Sequence, residues 1–402
     1  MYFCGIDWSE STNALAIVDP AGALVEDTTI THSAQDFQRL LIVLETLPVP
    51  RDQILIGIET PHHALVDWLL DREYSVYALP PKVVDRARDR YRSSRAWTDA
   101  HDAYVIADLL RTDHHRFRPL APGSDLARKI GFLSQARQQT RDRNSQVTQQ
   151  LRSALQRYYP TLLAYWRDLD RPSVVTLLEQ YPTGAALQQA DADEILATLK
   201  AHGVHQPRFH EKVLALRKTP PVPVHPVVRE VGVQHVQGLV AELRVLRQQL
   251  TAYTQALEDC LAQHPDTAIF ASLPMTGTIL TAGLLGHFGD NRERFPTVGE
   301  VRAHAGTAPV TQQSGGACRV CFRFACDTSF RDCLHQLAFV SLRQADWAQA
   351  YYADHRDQGK NHPHALRCLA KVWLKIIHAM WRDHTRYDPE RLQADRHRNQ
   401  AA

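Results

Sequence analysis

Hydrophobic and polar positions alternate in short runs at the start of the chain, then give way to longer helical periods. Cys4 to Ile6 and Asn13 to Val18 have the alternation of a strand hairpin, and Leu24 to Thr31 predicts a third strand. Apolar residues return at helical spacing from Phe37 to Leu47. Ile54 to Ile58 is an apolar run of strand length, His63 to Asp71 has helical spacing, and Val76 to Leu79 is a strand stopped by Pro80-Pro81. Thr98 to Ala103 heads a further amphipathic helix.

The element order over residues 1–120, β-β-β-α-β-α-β-α, is that of an RNase H-like fold. Downstream the pattern becomes helical. Leu126 to about Tyr158 predicts one long helix rich in Arg and Gln, and a proline-bounded region with short helices such as Asp193 to Leu199 follows. Pro220-Pro221-Val222-Pro223-Val224-His225-Pro226 reads as a stiff linker. Val236, Leu239, Leu243, Leu246, Leu250, Tyr253, Leu257 and Cys260 then keep the 3-4 spacing of a coiled-coil seam. Its partner is the 126–158 helix, a second protomer or both, and the expectation favours oligomerisation through this rod.

The C-terminal third opens with Leu273-Pro274-Met275-Thr276-Gly277-Thr278, a turn feeding a helix, similar to a helix-hairpin-helix unit. In such a unit the turn amides face a DNA phosphate, so Gly277 is a candidate contact. Alternation returns from Arg319 to Phe324, and three amphipathic helices close the chain. The expected domains are 1–120, an α/β catalytic domain; 121–265, a coiled-coil region with a helical segment at about 160–226 inserted; and 266–402, a mainly helical C-terminal domain.

Composition changes this picture little, but charge distribution does. At 402 residues with 44% hydrophobic and 22% charged positions, the chain is long enough for two or three cored domains. The net charge is only +2, yet three stretches are basic: Lys82–Arg95, Leu126–Arg157 and Lys360–Arg382. Local positive charge in a nearly neutral chain suggests polyanion contacts at defined places. No secretory signal and no run of roughly 18 apolar residues is visible, so no membrane partner is expected. Seven cysteines, five of them between Cys260 and Cys333, do not resemble a disulfide framework, and a reducing, cytoplasmic setting is expected. Cys318-x-x-Cys321 has zinc-ligand spacing, but the alternating Phe322 and Phe324 read it as a strand with buried cysteines. His362, His364 and His378 are expected on the surface, beside DNA rather than a metal.

Four carboxylates stand out against this background. Asp7 and Glu59 each end an apolar strand, and Asp99 and Asp102 lie three apart at the head of a helix. Carboxylates at neighbouring strand ends, joined by two from one helical face, can hold divalent cations against phosphate oxygens. Far along the chain, Ser314 stands in the polar stretch Gln312-Gln313-Ser314-Gly315-Gly316. Glycines there let a nucleophile and a phosphate approach closely, although a Ser-Gly-Gly stretch alone is usually only a turn.

Taken in order, these segments resemble the DEDD-type transposases of bacterial insertion sequences, a family of bridge-RNA-guided recombinases. The resemblance rests on Gly5-Ile6-Asp7-Trp8, Gly57-Ile58-Glu59-Thr60, Thr98-Asp99-Ala100-His101-Asp102-Ala103, Leu273-Pro274 through Gly289-Asp290, Ala305-Gly306 to Pro309, Gln313-Ser314-Gly315 and a basic final helix around Lys371. It implies a RuvC-like N-terminal domain whose Asp7, Glu59, Asp99 and Asp102 bind magnesium or manganese. It also implies a C-terminal transposase domain whose Ser314 attacks DNA and becomes covalently linked to it. The implied partners are the element ends and target DNA, a structured guide RNA, and further copies of the chain as homodimer or homotetramer. Arg137, Arg141 and Arg143 of the long basic helix are candidate RNA contacts, and Gly277 and Lys371 candidate DNA contacts. One departure is Trp97, where the family usually has lysine.

The alternative is a RuvC-like nuclease or Holliday-junction resolvase that uses the same acids with water and has no need of Ser314. An actin-like ATPase or sugar kinase would require further glycine-rich phosphate loops, which the chain lacks.

Overall fold

The computed structural model describes residues 1–60, 63–90, 98–274, 276–315 and 317–390. Trp97 lies outside them. The chain divides into two compact units, Met1–Pro122 and Gly123–Ala402.

The first unit is built on a five-stranded sheet: β1 (Tyr2–Trp8), β2 (Thr12–Val18), β3 (Leu24–Thr31), β4 (Ile54–Ile58) and β5 (Ser75–Ala78). The order is β3-β2-β1-β4-β5, with β1, β2 and β3 antiparallel in sequence and β1, β4 and β5 parallel. This mixed sheet agrees with the RNase H-like reading. Every residue of β4 is buried, as expected for a central strand covered on both faces. Helices α1 (Ala34–Glu45), α2 (Ala64–Leu70), α3 (Pro81–Arg88) and α4 (Asp99–Asp113) complete the unit. Leu40, Leu44, Leu65 and Leu69 pack against Ile6, Ile17 and Ile56 in one core, while Ile106 and Leu110 of α4 join Leu55 and Leu79 in a second.

Two glycines decide how close α4 comes to the sheet. A Cβ on Gly5 would lie 2.0 Å from the Ala103 carbonyl oxygen and 2.5 Å from the Ala107 nitrogen, and one on Gly57 would lie 2.9 Å from Ile106 Cγ2. The first clash is with backbone and cannot be relieved by a rotamer change. Glycine at β1 is therefore what lets the helix lie directly on the strand.

The second unit is helical apart from one hairpin. Two long helices, α5 (Asp125–Tyr158) and α11 (Pro226–Gln263), run side by side. Val147, Leu151 and Leu155 share a core with Val236, Leu239, Leu243 and Leu246, while Ala127 and Ile130 share one with Leu257 and Cys260. Those pairings make the two helices antiparallel. Six of the eight seam residues, all but Leu250 and Tyr253, thus lie in cores that the chain's own α5 shares. Between them lie five short helices, α6 (Pro160–Leu163), α7 (Pro172–Gln180), α8 (Gly184–Gln189), α9 (Ala192–Ala201) and α10 (Pro207–Lys218), three of them starting on proline. Their Leu177, Leu187, Ile195, Leu199 and Val213 enter the same core as the rod.

After α11 come α12 (Thr267–Ala271), α13 (Thr278–Phe288), α14 (Val298–His304), the hairpin β6 (Val310–Ser314) and β7 (Ala317–Cys321), then α15 (Thr328–Ser341), α16 (Asp346–Asp357) and α17 (His362–Arg382). The core here is aromatic, with Phe270, Phe288, Phe330, Trp373 and Trp381 fully buried. Its two buried indole N–H groups are matched: Trp373 Nε1 donates to Ser341 Oγ at 2.8 Å and Trp381 Nε1 to the Gly289 carbonyl at 2.7 Å. His378 belongs to this core, 2.7 Å from the Phe295 carbonyl, and is not the surface residue the sequence suggested. Helical spacing from Ala370, Trp373, Leu374 and Ile377 puts it on the apolar stripe of α17. The strand cysteines are also not buried: Cys318 is exposed and Cys321 half-exposed, because a two-stranded hairpin has no sheet to pack against. Among the described residues no helix is long and apolar enough to cross a membrane.

Candidate active site

Strand pairing brings the first two acids together. β1 and β4 are parallel with Ile6 opposite Ile58, so Asp7 and Glu59 follow at the same level on adjacent strands. Helix α4 supplies the other two. Thr98 caps it, accepting a 3.3 Å hydrogen bond from the His101 amide, and Asp99 and Asp102 occupy its first turn. Acids suit that end of a helix, and the spacing of three places them on one face. The close seat of α4 on Gly5 carries that face to the strand ends.

A basic residue completes the arrangement. Arg88, at the end of α3, donates from Nε to Asp102 Oδ1 at 2.9 Å and from Nη2 to Asp102 Oδ2 at 3.0 Å. Its Nη2 also reaches Glu59 Oε1 at 3.4 Å. The Arg88 side chain is only 20% exposed, so these bonds are weakly screened. Even so, one guanidinium does not balance the acids. Burial, then the charges of Asp102, Glu59 and Asp99, pushes the Asp7 carboxyl up to about 6 against the opposing pull of Arg88. Burial likewise raises Glu59, with Arg88 opposing and Asp102 and Asp85 adding to the rise. Arg88 is held above its ordinary value: burial works against the charge, but the hydrogen bond and charge of Asp102, then Glu59 and Asp7, outweigh it.

The donor set fits a hard divalent cation, since it consists of carboxylate oxygens with excess negative charge. Among the described residues no three acidic, histidine or cysteine side chains are yet close enough to enclose one. Arg88, bonded to both Glu59 and Asp102, stands where they would have to draw together.

Ser314 ends β6 and pairs with Ala317 across the hairpin tip. The next residue, Gly315, has φ +55° and nothing within 4 Å of where a Cβ would be. A left-handed residue in the turn is what a tight hairpin needs, which accounts for glycine there. Ser314 is exposed, and among the described residues no side chain hydrogen-bonds its hydroxyl. The fold thus presents the serine hydroxyl to solvent at the end of β6.

Both ends of this chain are matched by family models. Residues 4–160 match a DEDD transposase model, and residues 267–353 match the transposase IS116/IS110/IS902 family. A Streptomyces coelicolor protein named "Mini-circle putative transposase for IS117" is 32% identical over 98% of this chain and 96% of its own length. This chain belongs to the IS110 family of transposases. The IS110 uncharacterized 43.6 kDa protein of the same organism is 27% identical over 96% of the chain and 95% of its own length. The IS900 uncharacterized 42 kDa protein of Mycobacterium paratuberculosis is 28% identical over 77% of each. The transposase is accordingly an enzyme that acts on DNA.

The remaining candidate residues of the transposase are placed less uniformly. Arg137 donates to Thr254 Oγ1 at 3.1 Å and Arg143 to Glu242 Oε1 at 2.7 Å, so both are engaged by α11. Arg141 is exposed. Gly277 caps α13 without a side-chain bond, and nothing lies within 4 Å of where a Cβ would be. Lys371 is exposed on α17, and its carbonyl accepts from Arg302 Nη2 at 3.5 Å. Sequence reasoning grouped Arg88 with a general polyanion-binding stretch and missed its place among the acids. What aims it is the packing of α3 on α4, where Val84 and Ala87 share a core with Ile106. The stack of Trp8 on His63, 3.8 Å between ring centroids, was also missed.

Proposed function

We propose that this transposase cuts and exchanges DNA strands at the ends of its insertion sequence through a divided active site. Asp7, Glu59, Asp99 and Asp102 hold magnesium or manganese, and Ser314 is the nucleophile. The observation that carries this is the convergence of the acids at the β1/β4 edge with Asp7 raised to about 6. Such a cluster gains most from added positive charge.

In the reaction the Ser314 oxygen forms a bond to a DNA phosphorus while one bridging P–O bond breaks. The serine proton leaves as the departing deoxyribose oxygen takes one up. A bound divalent ion would supply charge neutralisation at the phosphate and at the two oxygens exchanging the bond. The four acids position that charge, and the exposed hairpin tip delivers the hydroxyl. The phosphoserine linkage conserves the phosphodiester energy, so rejoining to a new strand needs no external source. A structured guide RNA, bound in part through the exposed Arg141 face of α5, selects the strands. A homodimer or homotetramer holds the two DNA ends, with the serine and the acids contributed in cis or in trans.

The test uses the purified transposase, its element's end sequences, the flanking transcribed RNA and magnesium. A covalent protein–DNA adduct should form with the wild type and vanish with Ser314→Ala. Free hydrolysed ends that persist in Ser314→Ala would instead assign the chemistry to water and the acids alone. Omitting the RNA tests its role: unchanged adduct yield and site choice would remove it from the proposal.

A further inference from the structure

Beyond the serine tip, the hairpin runs into an unusual nest of cations around one aromatic ring. Phe322 directly follows β7, and two guanidiniums lie over its ring, Arg367 at 4.4 Å and Arg331 at 5.4 Å from the centroid. They come from different helices, α17 and α15, so tertiary packing alone brings these like charges together. Neither is well neutralised. Arg331 has Asp332 Oδ1 at 3.8 Å, a carboxylate side chain that is itself 74% exposed, and a weak thiol acceptor in Cys326 at 3.6 Å. Arg367 has no carboxylate partner among the described residues, and its Nε is buried without an acceptor. The buried Nε2 of His335 is unpartnered as well. Burial, then the Arg367 charge, holds that imidazole below its ordinary value, as expected beside a concentrated positive field.

Two residues along, Phe324 is 81% exposed and meets Phe322 edge-on, 4.8 Å between centroids. Exposure on that scale leaves the ring open for a planar partner to stack on. Arginines short of counter-charge, next to an exposed aromatic face, are the two elements that bind a single nucleic-acid strand: one takes phosphate, the other stacks a base.

We propose that Arg331, Arg367 and Phe324 form a docking site for the DNA strand that Ser314 attacks, with the guanidiniums on a phosphate and Phe324 under an unstacked base. This rests on the serine reading for its location. Ala317 lies opposite Ser314, and Phe322 is five residues further, so at roughly 3.4 Å per residue the nest lies about 17 Å along the hairpin from the tip. A DNA strand in duplex geometry, advancing ~3.4 Å along the axis per nucleotide, spans that distance in about five nucleotides, and an unstacked strand spans it in fewer. The nest therefore grips the DNA flank and leaves the cleaved phosphate at the tip.

Fluorescence anisotropy of the full chain with a labelled single-stranded oligonucleotide of the element end tests this. Phe324→Ala, a change at an exposed position, should weaken binding about tenfold. Arg331→Gln should weaken it and lower the slope of log affinity against log salt by about 0.7, the share of one phosphate contact. Arg367→Gln should do the same, with circular dichroism checking its fold. Wild-type affinity and salt slope in both Phe324→Ala and Arg331→Gln would overturn the site. An equal or larger loss with RNA of the same sequence would overturn its assignment to DNA. Ser314→Ala separates the readings: it should keep the affinity while losing the adduct. If no adduct ever forms yet Phe324→Ala still weakens binding, the serine role fails and the docking site stands.

Discussion

Arg88 holds Asp102 with two near-parallel hydrogen bonds, 2.9 Å and 3.0 Å, and so acts as the resident cation of the acid cluster. A fork of this kind is the strongest geometry an arginine has with a carboxylate. It also stands in direct competition with any metal that the same oxygens would bind. Replacing Arg88 by glutamine should therefore tighten manganese binding, by about tenfold, while lowering the stability of the metal-free protein by about 2 kcal/mol. Manganese titration followed by electron paramagnetic resonance, alongside thermal melting in EDTA, measures both. Weaker manganese binding in Arg88→Gln would mean that the arginine helps to build the metal site.

The raised Asp7 carboxyl has a consequence for pH. Its folded value of about 6 lies above the ordinary 3.8, so the folded state binds the proton more tightly than the unfolded state does. The metal-free protein is thus destabilised by this group at neutral pH, and the penalty fades as pH falls from about 6 towards 4. Asp7→Asn mimics the protonated form. It should be more stable than the wild type at pH 7.5, by about 1 kcal/mol once solvent screening of this half-buried group is allowed for. The advantage should shrink near pH 5. Urea melts of the two proteins at both pH values give the comparison, and a constant difference would contradict it.

Much of this architecture was legible in the pattern of residues. The apolar run Ile54–Ile58 and the alternation around Cys4 and Leu15 give the strands, because side-chain period and burial are directly linked in a sheet. The seam on α11 was legible as a seam, but spacing does not say which helix fills it. Only the matching apolar positions on α5, such as Val147 and Leu151, show that the partner is internal. The candidate acids could be picked out because they end apolar strands or begin a helix. Arg88 could not, since its role depends on where α3 packs against α4. His378 was misjudged because a histidine near basic residues reads as surface, while helical spacing puts it beside Trp381 in the core.

Gly5 offers the sharpest steric test. Alanine there would place a methyl 2.0 Å from the Ala103 carbonyl, and neither β1 nor α4 can move without disturbing both cores. Gly5→Ala should lose about 3 kcal/mol or more, at the upper end for overpacking. Gly57→Ala meets side chains rather than backbone, Ile106 at 2.9 Å, Leu79 at 3.2 Å and Leu110 at 3.5 Å, so it should lose about 1–2 kcal/mol. Chemical denaturation ranks the two. Since α4 carries Asp99 and Asp102, any folded Gly5→Ala should also bind manganese more weakly than Gly57→Ala does.

Asp327 ties together three helices of the second unit and yields the last prediction. It caps α15 by accepting from the Phe330 amide at 3.0 Å, and lies 3.2 Å from His287 Nδ1 and 3.7 Å from His304 Nε2. Burial alone would raise its carboxyl, yet the His287 hydrogen bond and charge, the Phe330 amide and His304 together hold it well below the usual range. A carboxylate with a lowered folded value stabilises the protein above its unfolded value, and that stability is lost as pH falls through the folded value. Asp327→Ala removes the cap and the carboxylate that His287 and His304 both approach. The expected cost is about 2 kcal/mol at pH 7, of which the cap accounts for about 1 kcal/mol. Asp327→Asn keeps an oxygen for the cap but loses the charge, so it should recover roughly half of the loss. Thermal melts of the three proteins at pH 7 test this. Equal losses in both variants would assign the whole effect to the charge, and no loss in either would show that α13, α14 and α15 are held by Phe288 and Phe330 packing alone.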